Sequence, residues 1–365
     1  MKKITKFDVL LVYSDWRAKS ASSISNNILT PFSKGSRNES YNIFYGYFLK
    51  TCQKNNLKAA FTTTTDISGA GRCRSYWLYD NEKWLKVKKS GYSKLIFDKF
   101  SPFNQRIEAK RNLLFSSDKV KPFNHPYLFN LFFDKQKTYN KLHKFAIPTV
   151  TIEESSGESI VKACNSLKNL LIRHPNQNDF SDEIVMKDRF GSEGICVYKF
   201  KTGQYKKMIA NVEKHKNISF VIQPFVKFDK GFIYKNTNVS ADIRLIYLGG
   251  KVIQSYIRMA KAGEFRCNEH QGGEVKYLSI NDLPLDVVSI SEKIAKILKK
   301  KNSLFTLDFI ISNNGNVYFL EGNTGPGLDW NLSIKENEIE GKKFIRLIVK
   351  ELVRLVGQNL PNVIS

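Results

Sequence analysis

The first hydrophobic run of the chain, Phe7–Tyr13, is short and nearly continuous, which is typical of a buried strand. Apolar residues then recur at helical spacing between positions 42 and 54, and a second apolar run covers 57–64. A strand, a helix and a strand in close succession predict the start of an α/β domain. The following pattern predicts a glycine-containing loop at 68–71, a hairpin over 77–88 and a strand at 94–98.

A new unit is predicted to begin near residues 124–126, where helical spacing resumes and continues through Leu142 until the break at Ala146-Ile147-Pro148. A further helix is predicted over 159–172, and a polar loop over 176–182. From Glu183 onwards, short apolar strands alternate with glycine turns, and helices return at 287–300 and 342–356. The chain of 365 residues therefore predicts two or three packed units.

Composition excludes several classes of protein. A hydrophobic fraction of 42%, with 13% aromatic residues, excludes wholesale disorder. No apolar stretch approaches the ~18 residues of a membrane-spanning helix, and the N-terminal run is too short, and carries Asp8, to predict a signal peptide. The five cysteines are scattered without a C-x-x-C pair, so neither a disulfide framework nor a cysteine zinc site is predicted. A cytoplasmic location is expected.

The charge balance is strongly positive. The 58 Lys and Arg residues against 34 Asp and Glu give a net charge of +24. Such a surplus is compatible with a polyanionic partner, such as a nucleic acid, or with an acidic substrate. The alternative is a compositional bias toward Lys and Asn, because the basic residues are spread along the whole chain.

The most specific pattern is a pair of apolar runs on either side of Asn314-Gly315. Asn-Gly in this context predicts a two-residue type I′ turn, since both central residues of that turn need positive φ. With these two residues in the turn, Asp308 lies directly opposite Glu321, with Cβ atoms about 5 Å apart. Asn323, two residues beyond Glu321, then falls on the same face of the hairpin.

Two facing carboxylates repel each other, so a positive partner is expected between them. Carboxylate and amide oxygens suit Mg²⁺ or Mn²⁺, and Mg²⁺ commonly shares its site with substrate phosphates. Asp308, Glu321 and Asn323 are therefore candidate metal ligands. The alternative is a solvent-facing carboxylate pair bridged by a lysine or arginine, and the hairpin alone does not choose between the two.

A lysine inside an apolar strand marks a second candidate site, in residues 183–198. An ammonium group at Lys187 is costly in such a strand unless an anion meets it. Gly191, Ser192, Glu193 and Gly194 follow in a loop whose backbone N–H groups could approach a phosphate closely. The spacing is not that of a P-loop. The alternative is an ordinary hairpin whose lysine extends its charge to solvent.

Two more segments have residues suited to ligand contacts. Pro224, between Gln223 and Phe225, interrupts an apolar strand and predicts an edge or strand end with free backbone groups. The second segment, 241–273, is predicted to hold a hairpin with a Gly-Gly turn. Guanidinium groups that could bind carboxylate or phosphate stand close to its strand ends: Arg244, Arg258 and Arg266.

Taken in order, these motifs resemble the ATP-grasp superfamily and, within it, the RimK-type, glutathione-synthetase-like carboxylate–amine ligases. The matching series is Asp134-Lys135, Thr138-Tyr139 and Ile147-Pro148, then Lys187 with Gly191–Gly194, Gln223–Phe225, Asp242–Arg244, Phe265–Asn268 with Gly272-Gly273, Asp308, and Glu321–Asn323 with Pro326-Gly327. The resemblance implies an α/β protein with the ATP-grasp fold. Its implied domains are a Rossmann-like pre-ATP-grasp domain (1–123), a central lobe with the phosphate loop (124–215) and a C-terminal lobe with the metal site (216–365).

The resemblance also implies roles for individual positions. Those implied to bind ATP are Lys135, Lys187, Gly191, Ser192, Glu193, Gly194, Gln223, Pro224, Phe225, Asp242, Arg266 and Asn268. Arg258 and Arg244 would stabilise the oxyanions of an acyl phosphate, and Mg²⁺, or Mn²⁺, would be held by Asp308, Glu321 and Asn323. One condition follows from strand geometry: a regular Gly-Gly turn would place Asp242 and Arg258 on opposite faces, so a bulge or strand end must intervene if both serve one site.

The chemistry that the resemblance implies is ATP-dependent amide formation through an acyl phosphate. An amino acid such as glutamate would be joined to a peptide or small-molecule acceptor, so the partners are carboxylate and amine substrates. One open alternative is an ATP-grasp phosphotransferase that stops after phosphate transfer. Another is a basic nucleic-acid or ribosome-binding module on the same fold without turnover. No oligomeric state follows from the sequence.

Overall fold

The computed structural model describes residues 4–102, 104–300 and 303–358, without the side chains of His270 and Gln358. These residues form two compact units. Unit 1 comprises the described residues up to 126 together with 303–304 and 325–358, and unit 2 comprises 127–300 and 305–324. The predicted division of the chain into three domains, at 123 and 215, stays a prediction.

The strands and helices have the following bounds. The strands are β1 (Thr5–Tyr13), β2 (Ala59–Thr63), β3 (Ile67–Gly69), β4 (Arg72–Cys73), β5 (Tyr76–Asp80), β6 (Lys83–Val87), β7 (Gly91–Lys99), β8 (Lys121–Pro122), β9 (Val150–Thr151), β10 (Phe180–Asp188), β11 (Val197–Lys201), β12 (Phe220–Val226), β13 (Phe232–Tyr234), β14 (Thr237–Val239), β15 (Ala241–Leu248), β16 (Lys251–Met259), β17 (Glu274–Leu278), β18 (Phe305–Ile311) and β19 (Val317–Asn323). The helices are α1 (Tyr41–Lys54), α2 (Gln105–Leu114), α3 (Pro126–Phe133), α4 (Lys135–Leu142), α5 (Gly157–Ile172), α6 (Tyr205–Lys214), α7 (Leu285–Leu298) and α8 (Lys335–Gln358).

A mixed sheet forms the centre of unit 1, in the order β3-β4-β7-β1-β2-β5-β6, with β8 beside β7. β1 is parallel to both of its neighbours, β2 and β7. A central parallel strand is covered on both faces, which explains why Val9–Val12 are fully buried and why the sequence of β1 does not alternate. The predicted strand–helix–strand beginning is confirmed by β1, α1 and β2.

Unit 1 departs from two local predictions. The loop predicted at 68–71 is confirmed only in its second half, because Ser68 and Gly69 belong to β3, whereas Ala70 and Gly71 form the turn of the tight hairpin between β3 and β4. Gly71 in this hairpin has a φ of 61°, and a Cβ atom on it would lie 2.3 Å from the carbonyl oxygen of Ser93, so the close approach requires glycine. Helix α2 has no counterpart among the predicted elements, because only Ile107 and Leu114 of it are buried and its periodicity is correspondingly weak. The hairpin predicted over 77–88 is confirmed by β5 and β6.

Unit 2 contains two larger sheets, each packed against helices. The four-stranded sheet, β11-β10-β12-β9, shares a core with α5 and α6 that includes Met186 and Met208. The five-stranded antiparallel sheet, β17-β16-β15-β18-β19, shares a core with α3 and α7 that includes Leu128, Ile243 and Val287. β13 and β14 form a separate two-stranded ribbon.

Element boundaries in unit 2 depart from the predicted pattern at three places. The single helix predicted through Leu142 is two helices, because Asp134 caps α4 by accepting hydrogen bonds from the backbone N–H groups of Gln136 and Lys137. β10 begins at Phe180, inside the predicted polar loop. Helix α6 lies in a stretch predicted to hold strands and turns only.

The turn between β18 and β19 differs from the predicted type I′ turn. Gly315 has a φ of 85°, whereas Asn314 does not have positive φ. The N–H of Gly315 donates to the carbonyl oxygen of Ser312, and Ser312 in turn bonds across to Asn316. The hairpin therefore has a three-residue loop with glycine in the left-handed position.

A bulge restores the predicted pairing of the two carboxylates. If the register set by the three-residue loop continued past the pair Phe309–Phe319, Asp308 would lie opposite Leu320. A one-residue bulge at Leu320 shifts the register, and Asp308 pairs with Glu321. The prediction of this pair is confirmed, although the turn that was expected to produce it is wrong.

A second bulge satisfies the condition on the Gly-Gly hairpin. Gly249 and Gly250 both have positive φ and join β15 to β16. The pairing shifts by one residue beyond Tyr247, so that Asp242 lies directly opposite Arg258. Together the two bulges place a set of polar side chains on one face of the five-stranded sheet: Asp242, Arg244, Arg258, Asp308, Glu321 and Asn323.

The other face of β19 is tightly packed at Gly322, between Glu321 and Asn323. A Cβ atom there would lie 2.3 Å from the buried ring of Phe132 in α3. We predict that Gly322→Ala lowers the free energy of unfolding by about 1–3 kcal/mol, because either the ring or the strand must shift. Urea unfolding measures the change.

The matched control is Gly357→Ala, because a Cβ atom at that position in α8 would meet no atom within 4 Å. Alanine favours a helix over glycine, so this variant should be as stable as the wild type or slightly more stable. An unchanged free energy of unfolding in Gly322→Ala would contradict the packing described for β19.

Candidate active site

A cleft between the two larger sheets of unit 2 holds most of the predicted site residues. Its empty volume of about 860 Å³, open to solvent, is in the range of small-molecule sites. The predicted residues that line it are Lys135, Lys187, Gly191, Ser192, Glu193, Gly194, Gln223, Pro224, Phe225, Asp242, Arg258, Arg266, Asn268 and Glu321. Three predicted residues lie on the same sheet face but do not line the cleft: Arg244, Asp308 and Asn323.

One wall of the cleft is apolar. It includes Ile147 of the Ile147-Pro148 motif, and side chains that no sequence motif marked form much of the rest: Val185, Phe228, Ile310 and Leu320. Leu320 is the bulged residue of β19, and a bulge lets it face the cleft together with Glu321. Strand β9 pairs with β12 only at Val221 and Ile222, so the segment 223–226 has a free side. The predicted edge position of Pro224 is confirmed in this sense.

The loop between β10 and β11 extends along the cleft in a left-handed backbone conformation. Glu193, Gly194 and Cys196 have φ values of 63°, 70° and 54°. A Cβ atom on Gly194 would lie 2.8 Å from the Oδ1 of Asn268, and the side chain of Gln271 donates to the carbonyl oxygen of Glu193 at 3.2 Å. Contacts from residues 268–271 therefore hold the loop in place.

Two lysines bring positive charge into the cleft. Burial, aided by the charge of Lys135, lowers the pKa of Lys187 to about 8, and Glu321 opposes this shift. Burial also lowers the pKa of Lys135, whose Nζ donates to the carbonyl oxygen of Gly191. Within the described part of the chain, no carboxylate oxygen lies within 4 Å of the Nζ atom of either lysine, so neither lysine forms a salt bridge there. Such buried ammonium groups favour an anionic ligand.

Four charged side chains form a buried chain of alternating sign beside the cleft. Arg258 donates to both oxygens of Asp242, at 2.7 and 2.9 Å. Arg244 donates to both oxygens of Asp308, at 2.7 and 2.5 Å. A further bond of 2.8 Å from Arg258 to Asp308 joins the two pairs. None of the four residues is more than 8% exposed.

The two carboxyl groups of this network differ in their electrostatics. Burial raises the pKa of Asp242 to about 6, although Arg258 opposes the shift. Burial acts in the same direction on Asp308, but the charges of Arg244 and Arg258 outweigh it and hold the pKa of Asp308 below its usual range. Asp308 is therefore ionised at neutral pH.

The proposed ligands fit Mg²⁺ in their donor chemistry. Asp308, Glu321 and Asn323 offer oxygen donors from one sheet face, and Glu321 faces the cleft. Three of the four lone-pair positions of the Asp308 carboxylate accept N–H groups of the two arginines, which leaves one on Oδ1. Asp308 is fully buried, so its arginine partners must move before it can bind a cation. No group of three or more His, Cys, Asp or Glu side chains in the described residues could hold a metal, so an amide oxygen would be needed.

The alternative to a metal, an arginine bridge between the carboxylates, is present in part. The Nη2 atom of Arg244 lies 2.5 Å from Asp308 but 3.9 Å from Glu321. The side chain of Glu321 remains 30% exposed. The arginine thus neutralises Asp308 and leaves Glu321 available to the cleft.

Two residues that no sequence motif marked, Arg189 and Lys199, contact residues of the predicted motifs. Arg189 forms a two-pronged salt bridge with Asp134, at 2.8 and 2.7 Å, which ties the start of the glycine loop to the N-terminus of α4. The Nζ of Lys199 lies 4.4 Å from the ring centre of Phe225 and 5.3 Å from that of Phe265. These partners are far apart in sequence, so only the fold brings them together.

Solved structures share this architecture. D-alanyl-alanine synthetase A of Vibrio cholerae matches with a TM-score of 0.61 at 14% identity, over 98% of this chain and 100% of that one. A RimK domain ATP-grasp protein of Sphaerobacter thermophilus matches with a TM-score of 0.55 at 10% identity, over 94% and 99%. The fold is therefore that of an ATP-grasp protein, as predicted.

The amino-acid sequence identifies a particular family within this fold. The sequence model of the RimK-like ATP-grasp domain matches residues 135–348, more than half of the chain. The chain belongs to the RimK-like ATP-grasp family, a family of ligases, and the predicted family is confirmed.

Curated relatives match over a shorter stretch. A probable alpha-L-glutamate ligase of Trichodesmium erythraeum is 30% identical over 169 residues, which is 46% of this chain and 51% of that protein. A protein of the same name from Haemophilus influenzae is 30% identical over 196 residues, 54% of this chain and 57% of its own. The chain spans about half the length of the curated relatives it matches. Among the described residues, no helix has the length and apolar composition needed to cross a membrane.

Removing Asp308 should expose how much the buried charges depend on one another. We predict that Asp308→Ala lowers the free energy of unfolding by about 3–5 kcal/mol, because two buried guanidinium groups lose their shared carboxylate. The pKa of Asp308 is lowered in the folded protein, so the stabilisation that its charge provides is present above the usual aspartate pKa. This stabilisation is lost as pH falls through the lower pKa of the folded state. Urea unfolding at neutral and at acidic pH should show the difference from the wild type shrinking in acid.

Asp282→Ala is the matched control for that measurement. The Asp282 side chain is exposed and lies outside the network, so the variant should stay within about 0.5 kcal/mol of the wild type. An Asp308→Ala protein as stable as this control would show that the arginines do not need their carboxylate.

Proposed function

We propose that the protein is an ATP-dependent carboxylate–amine ligase that forms an amide bond through an acyl phosphate. The observation that carries the proposal is the cleft of unit 2, where Lys135, Lys187, the glycine loop and Glu321 face one space. Family membership supports the reaction class. The names of the curated relatives support an amino acid such as glutamate as one substrate and a peptide or small molecule as the acceptor.

The charge distribution of the cleft supports a nucleotide lying along it. The phosphates would lie at Lys187 and Lys135, beneath the backbone of residues 191–194. The adenine ring would lie against the apolar wall, where the free side of β12 offers the backbone groups of Pro224 and Phe225. Other predicted nucleotide contacts come from side chains and backbone around the same space: Ser192, Glu193, Gln223, Asp242, Arg266 and Asn268.

Mg²⁺, or Mn²⁺ in its place, would be held by Asp308, Glu321 and Asn323. When bound, it would neutralise the negative charge of the phosphate groups. Arg258 lines the cleft, where it would stabilise oxyanions of the substrate. Arg244 does not line the cleft, so we assign it to holding Asp308 in place rather than to substrate contact.

The reaction proceeds in two steps. A substrate carboxylate oxygen attacks the γ-phosphorus of ATP, which forms an acyl phosphate and releases ADP. A substrate amine then attacks the acyl carbon, the bond to the phosphate oxygen breaks, and loss of a proton from the nitrogen leaves an amide and inorganic phosphate. Positive groups of the cleft stabilise the charge on the oxygens in both steps, and no protein nucleophile is required.

Two substitutions test the assignment of the cleft. We predict that Lys187→Ala and Glu321→Ala each abolish substrate-dependent ADP release, because the first removes a buried phosphate contact and the second a metal ligand. ADP release is measured with Mg²⁺ over a panel of amino acids and peptides, and mass spectrometry identifies the products. The matched controls are Lys201→Ala on β11 and Glu274→Ala on β17, whose exposed side chains lie outside the cleft and should leave turnover intact.

The same assay separates the ligase from the two alternatives. A phosphorylated hydroxyl product without an amide would identify a phosphotransferase. RNA binding that falls steeply with salt, without ADP release under any condition, would identify a basic binding module. Normal turnover in Lys187→Ala or Glu321→Ala would contradict the site assignment itself.

The lowered pKa of Lys187 predicts a pH dependence of nucleotide binding. Below its pKa of about 8 the ammonium group is charged and attracts phosphate, and above it the neutral amine does not. ATP affinity, measured by calorimetry, should therefore fall as pH rises through about 8. Near that pH, binding should take up a proton, which is seen as a dependence of the binding heat on the ionisation enthalpy of the buffer.

Lys187→Arg is the matched variant for this prediction, because a guanidinium group stays charged throughout the range. Its ATP affinity should lose the pH dependence and the proton uptake. A wild-type affinity that is constant from about pH 7 to about pH 9 would show that Lys187 does not meet the nucleotide as a titrating group.

A further inference from the structure

One buried carboxylate of unit 2 has no part in the proposed reaction. Asp179, directly before β10, is 1% exposed. Its oxygens accept hydrogen bonds from three side chains of the β18–β19 hairpin: Asn314 at 2.7 Å, Asn316 at 2.9 Å and Tyr318 at 2.6 Å. Burial alone would raise the pKa of Asp179, but the hydrogen bonds that it accepts, above all the one from Tyr318, outweigh this effect and hold the pKa below its usual range. The carboxylate is therefore ionised at neutral pH.

These hydrogen bonds join the two larger sheets of unit 2. Asp179 leads into β10 of the four-stranded sheet, whereas its three partners belong to β19 and the turn before it, in the five-stranded sheet. The backbone adds to the connection, because the carbonyl oxygen of Asp179 accepts from the N–H of Lys227, and the carbonyl oxygen of Lys227 accepts from the N–H of Asn313, both at 2.8 Å. We call this set, made of Asp179, Lys227 and residues 313–318, the Asp179 joint.

The Asp179 joint packs behind the apolar wall of the cleft. The buried cluster around it includes Phe180, Phe228, Ile310 and Tyr318. Two of these residues, Phe228 and Ile310, also line the cleft. The packing is tight, since a Cβ atom on Gly231 would lie 1.8 Å from the carbonyl oxygen of Ile311 at the end of β18. A shift at the joint would therefore move the wall of the cleft.

Two strands lead from the joint to the two charged sides of the cleft. β10 runs from it to Lys187, and the pairing of β10 with β12 is regular from Ile184 to Asp188. β19 runs from Tyr318 to Glu321. Because paired strands behave as rigid elements, a change of spacing at the joint would be carried along both strands into the cleft.

We infer that Asp179 is a positioning residue, whose carboxylate sets the distance across the cleft between Lys187 and Glu321. The inference rests on the proposed function, in which these two side chains act on one nucleotide and its metal. A carboxylate suits the role because both of its oxygens only accept, so three donors of the hairpin can meet it together. An amide at position 179 would turn an NH₂ group toward at least one of those donors.

A distance measurement between the two sheets tests the inference without catalysis. Spin labels are attached to cysteines at two exposed positions, Lys201 of β11 and Glu274 of β17. The background is Cys196→Ser, because the other four cysteines are buried. Double electron–electron resonance on the full chain should give a narrow distance distribution, and Asp179→Asn should broaden or shift it. The matched control is Asp182→Asn, an exposed carboxylate on β10, which should keep the wild-type distribution.

A reciprocal exchange separates positioning from a general loss of stability. Asn316→Asp sets a second carboxylate against Asp179 and should disturb the distribution by repulsion. The double variant Asp179→Asn/Asn316→Asp again sets one amide against one carboxylate, so it should return the distribution toward that of the wild type. Circular dichroism shows which variants fold, and Tyr318→Phe, which removes one of the three bonds, replaces Asp179→Asn if that variant does not. Wild-type distributions in the single variants, or a double variant without any return, would overturn the inference.

Turnover gives a second readout. Asp179→Asn should lower the rate of amide formation about ten- to a hundredfold, because a misplacement of about 1 Å is enough for such a loss. The double variant should recover most of the rate, and Asp182→Asn should keep all of it.

The outcomes keep the two proposals apart. A distance distribution that depends on Asp179 and is restored by the exchange, in a protein that makes no amide, would sustain the role of Asp179 in setting the width of the cleft and overturn the proposed ligase. Amide formation at the wild-type rate by Asp179→Asn, with an unchanged distance distribution, would sustain the ligase and overturn the positioning role.

Discussion

The carboxylate of Asp308 shares its two oxygens between Arg244 and Arg258, and Arg258 continues the chain of charges to Asp242. All of these groups are buried, where an unpaired charge is costly, so each must be held opposite its partner. This constrains the register of three adjacent strands at once. A slip of one residue in either hairpin would turn its charged side chains toward the apolar core on the other face. The two bulges are what make the pairing of these charges compatible with the turns at the ends of the hairpins.

The basic side chains around the cleft form two groups: arginines that have a carboxylate partner and lysines that have none in the described residues. The arginines are matched with carboxylates inside the sheet, whereas Lys135 and Lys187 extend from the other side of the cleft without an acidic partner among the described residues. Glu321 also faces the open space, as do Asp188, Glu193 and Asp242. In the proposed function the two lysines would meet the phosphates, while the arginine network keeps Asp308 ionised beside the proposed metal position. We therefore assign phosphate binding to the two lysines and the positioning of Asp308 to the arginines.

The match to the family begins at residue 135, so most of unit 1 lies outside it. The residues that line the cleft, from Lys135 to Glu321, all lie within the matched stretch. The family match therefore bears on the cleft of unit 2 and not on the sheet of unit 1.

Local sequence patterns determined much of what the structure shows. Apolar runs and turn residues were sufficient to predict β1, α1 and the hairpins β5-β6, β15-β16 and β18-β19, and the ordered motifs predicted most of the residues that line the cleft. The pairing of Asp308 with Glu321 was predicted from an Asn-Gly turn that does not have the expected form, and the bulge at Leu320 restores it. The residues of a turn determine only the local backbone conformation. The register of the strands depends on which side chains must be buried on each face of the sheet. Only the tertiary structure could therefore pair Arg244 and Arg258 with their carboxylates, or Arg189 with Asp134, because those contacts depend on strands and loops that meet after the chain has folded.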